Sequence, residues 1–119
     1  MEDAQQMEGS QTIATDGNVV LYVVVNAGFA DEVMEIARAA GAKGATIINA
    51  RGEGAMHKSF LGITIDSERE ILIILIDAPT SLKIMQDIKE QAGLHSSAQA
   101  ACFTIKIDKT TLFNDFSVL

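Results

Sequence analysis

The 119-residue chain has no tryptophan, one proline, one tyrosine and one cysteine, and it carries few basic side chains. Each scarcity narrows the field. A single cysteine, Cys102, cannot close an internal disulfide, which fits a reducing compartment. It sits in an apolar alternation, where a small half-hydrophobic side chain is its first reading. Nine Lys and Arg against sixteen Asp and Glu leave a net charge of −7. That balance argues against nucleic-acid or anionic-membrane binding, both of which need a basic face. It leaves room for one small anionic ligand held by local donors. No apolar run approaches the roughly 20 residues that span a bilayer, and the polar, acidic start MEDAQQMEGSQ resembles neither a signal peptide nor a basic arm. The expected location is therefore cytoplasmic, without membrane insertion.

Catalytic and metal-binding patterns are equally sparse. The two histidines, His57 and His95, lie far apart, and no Cys/His spacing suits zinc. The carboxylates are scattered, with no pair set in an apolar environment for acid–base work. Ser96 and Ser97 follow His95, but chain adjacency is not triad geometry. "GAKG" and "RGEG" lack the spacing of a Walker or dinucleotide fingerprint. The reading is a protein that is not an enzyme and has no tightly bound cofactor.

What is present is aliphatic. Residues 1–17 read as a flexible leader, and 18–119 as one domain, the size for a single core. VVLYVVV (19–25) and ILIILI (71–76) are dense runs of strand length. Between them, Asn26 and Gly28 can turn the chain, and Asp31 and Glu32 suit the first turn of a helix. Val33, Ile36, Ala37 and Ala40 then mark one helical face, with Gly41 as the stop. A strand over 45–50 (ATIINA) follows, then the loop RGEGAMHKS and a short strand over 60–65 (FLGITI). Asp66, Ser67 and Glu68 read as a turn into the run 70–76. A second helix begins near Pro79 with Thr80 or Ser81 as cap. It carries Ile84, Met85, Ile88 and Ala92 on its apolar face and a Lys83–Asp87 pair outside, and stops at Gly93. ACFTIKID closes the set, with Cys102, Thr104 and Lys106 on one face and Phe103, Ile105 and Ile107 on the other.

The order strand–helix–strand–strand–helix–strand predicts an α+β, ferredoxin-like βαββαβ domain: a four-stranded antiparallel sheet with two helices on one face. The two dense strands are apolar at nearly every position, so both sheet faces should be buried. Another copy of the chain is the economical cover, and a homo-oligomer is expected. The loop after the 45–50 strand is the best candidate site. Gly52 and Gly54 permit close backbone approach, Arg51 and Lys58 offer cations, and His57 a further donor; an ordinary hairpin with incidental charges is the plain alternative.

The stretch GAKGATIINARGEG resembles the P-II signal-transduction family, in which an acidic helix start precedes a G-x-x-G-[MI]-T strand and a G-x-G turn opens the regulatory T-loop. The correspondence runs without gaps from Asp31, Glu32 and Val33 through Gly41, Gly44 and Thr46 to Gly52 and Gly54, and the fold order agrees over roughly 19–108. The resemblance implies a homotrimer that binds an adenine nucleotide, ADP or ATP, in clefts between subunits and signals to a partner protein such as a membrane transporter. On matching positions, Thr46 and the turn Gly52, Glu53, Gly54 would meet the base and its surroundings. Met56, His57 and Lys58 would lie along the start of the T-loop, near the phosphates, and Arg51 and Ala55 complete the expected nucleotide site. The chain also departs from the pattern. The loop is short, the family's glycine- and lysine-bearing phosphate loop falls on SSAQAA (96–101) without either residue, and the tail KTTLFNDFSVL holds no arginine. The alternative class is a metal-binding or structural trimer of the divalent-cation tolerance type.

Overall fold

A computed structural model describes residues 13–14, 17–52, 58–60, 63–65 and 67–111. Its elements are β1 (Ile13–Ala14), β2 (Asn18–Asn26), α1 (Ala30–Ala39), β3 (Thr46–Gly52), β4 (Lys58–Phe60), β5 (Ile63–Ile65), β6 (Ser67–Asp77), α2 (Ala78–Ala92), β7 (Ala101–Lys106) and β8 (Lys109–Thr110). The main sheet has the order β3-β6-β2-β7, antiparallel throughout. With α1 and α2 on one face this is the expected ferredoxin-like βαββαβ arrangement.

The β2 and β6 runs form the two central strands, and their β-branched residues suit that position. Along β2 burial alternates strictly, and Leu21, Val23 and Val25 are fully buried. Their cross-strand partners Ile74 and Leu72 complete the row under the helices. From above, α1 contributes Val33, Met34 and Ala37, and α2 contributes Ile84, Ile88 and Ala92. Met34 was not on the predicted apolar face, whereas the predicted Ile36 packs only at the core's margin. Ser81, read as a cap, is instead buried inside α2, and its hydroxyl donates to the Ala78 carbonyl at 2.6 Å.

The helix ends explain themselves chemically. At the C-terminus of α1 the Gly41 N–H donates to the Arg38 carbonyl and the Ala42 N–H to the Ala37 carbonyl. This is the paired pattern that a left-handed residue closes, and Gly41 has φ +124°. A Cβ there would also lie 2.8 Å from the Thr80 methyl, so the stop and the close approach to α2 both call for glycine. α2 is capped by Asp77, not by Thr80 or Ser81. Its carboxylate accepts from the Thr80 N–H at 2.9 Å and the Thr80 hydroxyl at 2.8 Å. The exposed Lys83–Asp87 pair forms at 3.1 Å.

Two boundaries differ from the sequence reading. β6 begins at Ser67, so Ser67 and Glu68 are strand residues and not a turn; Asp66 lies outside the described residues. The run 60–65 is not one strand: Lys58 pairs with Ile65 and Phe60 with Ile63, so it folds back on itself as a separate ribbon. Within the stretch read as a leader, Ile13–Ala14 pairs antiparallel with Lys109–Thr110; residues 1–12, 15 and 16 are outside the described residues.

Candidate functional site

The predicted site residues start on β3, an edge strand. Alternation places Thr46, Ile48, Ala50 and Gly52 on the face away from the helices, in register with Ile73, Ile71, Arg69 and Ser67. Arg51 faces the other way, opposite Glu68, and is exposed. Thr46 and Gly52 share a face but are six residues apart, about 20 Å at strand rise. No single small group touches both; only a ligand lying along β3 does. Glu53, Gly54, Ala55, Met56 and His57 lie outside the described residues. Lys58 opens β4 opposite Ile65.

At the Gly52 end the sheet gathers polar groups that the sequence did not single out. Arg69 donates from Nη1 to Asn26 Oδ1 at 2.6 Å. Asn26 in turn donates from Nδ2 to the Ser97 carbonyl at 2.8 Å, and its backbone N–H donates to the Ala98 carbonyl at 2.9 Å. The Gln99 side-chain oxygen is 3.5 Å from Asn26 Nδ2, and Gln99 has a left-handed φ of +47°. Ala98 is buried in the core and anchors the loop it belongs to. The corner therefore joins β6, β2 and the 96–100 loop. Gly52 completes it: a Cβ at that position would stand 3.3 Å from Arg69 Nε, so the arginine side chain lies across the glycine.

Glu70 points to the opposite face and does different work. Its Oε1 accepts from the Gly28 N–H at 2.8 Å and the Ala30 N–H at 3.2 Å. α1 has no side-chain cap of its own at Phe29, and this carboxylate from a neighbouring strand meets its free N–H groups and positive dipole end. Arg69 and Glu70 were legible only through the β6 boundary. Once the strand starts at Ser67, period two sends them to opposite faces; a turn over 66–68 conceals that.

Cys102 registers with Val23, beneath the helices, and packs at the core's edge. Burial pushes its thiol up to about 11, which keeps it neutral and unreactive. Among the described residues no group of three or more His, Cys, Asp or Glu side chains is placed to hold a metal, and no helix is long and apolar enough to cross a membrane.

The order βαββαβ, with four antiparallel strands and both helices on one face, makes this a ferredoxin-like domain. Residues 19–113 match the family model of nitrogen regulatory protein P-II, and the chain belongs to that signalling family. Solved structures agree on the fold. A PII-like signaling protein from Thermus thermophilus superposes with a TM-score of 0.55 at 22% identity, over 76% of this chain and 89% of that one. The B. subtilis GlnK–ATP complex gives 0.59 at 14% identity, over 83% and 86%. CutA from Synechococcus elongatus gives 0.64 at 12%, over 87% and 88%. No curated protein sequence matches the chain.

Proposed function

We propose that this protein is a non-catalytic PII-like regulator that binds an adenine nucleotide, ADP or ATP, in the intersubunit clefts of a homotrimer and signals to a partner protein such as a membrane transporter. The observation that carries the reading is the P-II family match over residues 19–113, which includes the β3 strand and turn bearing Thr46 and Gly52. A related fold has been captured with ATP in B. subtilis GlnK. The sheet face that no described element covers supports the assembly. Ile48, Phe103 and Ile105 are 44%, 49% and 51% exposed there, a contiguous apolar surface of the kind that marks an interface. Nucleotide occupancy would change what the connection between β3 and β6 presents to the partner, a switch of loop conformation driven by differential contacts.

Calorimetric titration with ADP, ATP, AMP and cyclic nucleotides tests the ligand class. Saturable heat with at least one is expected, and no heat with any at millimolar concentration would refute it. Sedimentation should give about three times the 12.7 kDa chain mass. The second reading, a metal-binding or structural trimer of the divalent-cation tolerance type, draws on the fold likeness to CutA. It predicts heat with divalent cations and none with nucleotides.

A further inference from the structure

We infer that Arg69 is a phosphate-contacting residue of the nucleotide site and supplies the positive charge that the 96–101 loop lacks. This rests on the nucleotide reading above and adds to it a residue that the motif comparison did not include. The loop SSAQAA offers no lysine and no glycine, yet the fold brings a guanidinium to Asn26, the side chain that holds this loop. Arg69 reaches Asn26 at 2.6 Å, and Asn26 holds the loop through the carbonyls of Ser97 and Ala98. The same side chain crosses Gly52, on the strand predicted to carry the ligand. Arg69 thus bridges the two segments between which a nucleotide phosphate would lie.

The chemistry of the contact supports an anion. The hydrogen-bond acceptor on Asn26 is a neutral amide oxygen, so the bond orients the guanidinium without cancelling its charge. Only one of five guanidinium N–H donors is needed for it, and the planar fork suits bidentate phosphate binding. Gly52 gains a second role beyond backbone approach, because any larger residue presses on the arginine at 3.3–3.4 Å.

Calorimetry on the full chain with ADP and with adenosine separates the possibilities. Arg69→Gln should weaken ADP by about 10- to 100-fold, the worth of a charged phosphate contact, and leave adenosine unchanged. Arg69→Lys should recover part of the loss by restoring charge without the fork. Thermal unfolding of each variant confirms that it is folded. If Arg69→Gln leaves ADP binding intact, or weakens ADP and adenosine equally, the assignment is overturned while the nucleotide reading stands. If the unmodified protein binds neither ligand, the nucleotide reading falls and takes the assignment with it.

Discussion

The two faces of the main sheet are made from nearly the same residues and have opposite fates. On the helix side Val19, Leu21, Val23, Leu72, Ile74 and Ile76 are between 0% and 8% exposed. On the other side Val20, Tyr22 and Val24 stand beside Leu75, Ile73 and Ile71, with Ile105 and Phe103 beyond, and no element among the described residues covers them. Tyr22 and Phe103 stack at 5.0 Å between ring centres, 13° from parallel, so this side is ordered apolar packing and not a scatter of stray side chains. Composition cannot tell the faces apart; only the helices can. A sheet that is apolar on both sides thus encodes two burial events, one against the helices and one that, on the proposed assembly, is met by another copy of the chain.

The sharpest test of that division is a matched pair of substitutions. Leu21→Ala empties the helix-covered core and should cost about 2–5 kcal/mol, seen as an earlier urea midpoint at every protein concentration. Phe103→Asp, by contrast, places a charge on the bare face. It should leave the far-UV circular dichroism of the single chain intact, while sedimentation shows the assembly falling toward monomers. A charge buried in such an interface typically costs about 2 kcal/mol or more. An unchanged sedimentation coefficient for Phe103→Asp would mean that the bare face is not where copies meet.

The covered face was the easier one to read from sequence. Dense apolar runs of strand length mark β2 and β6, 3.6-residue spacing marks α1 and α2, and Gly41 marks the end of α1, because each of these signals is local. The misses come from groups whose role is set by distant neighbours. Asp77 closes an apolar run and looks like the tail of a strand; only the fold shows its carboxylate over the first turn of α2. Glu70 caps a helix forty residues upstream. Phe60–Ile65 alternates like one strand, and alternation does not reveal where a chain reverses. The candidate site divides in the same way. Thr46, Arg51 and Gly52 were visible as a strand and its turn, but alternation puts Arg51 on the opposite face from the other two. Arg69 and Asn26 join the corner only through pairing between β2 and β6.

The smallest effect expected concerns the helix layer alone. The Thr80 backbone N–H and, secondarily, its hydroxyl hold the Asp77 carboxyl below its usual 3.8. A carboxyl with a lower pKa folded than unfolded adds stability above the unfolded value, and that increment disappears as pH falls from about 4 through the folded value. Asp77→Ala should therefore cost about 1 kcal/mol at neutral pH. Asp77→Asn, which keeps an acceptor, should retain most of the stability at neutral pH and lose the part of the acid-limb slope below pH 4 that Asp77 contributes. Neither change should shift the sedimentation coefficient, because the cap acts on α2 and not on the bare face. Urea melts from pH 2 to 7 decide the point: if Asp77→Asn melts with the same acid slope as the unmodified chain, the carboxylate is not the group that the first turn of α2 is holding.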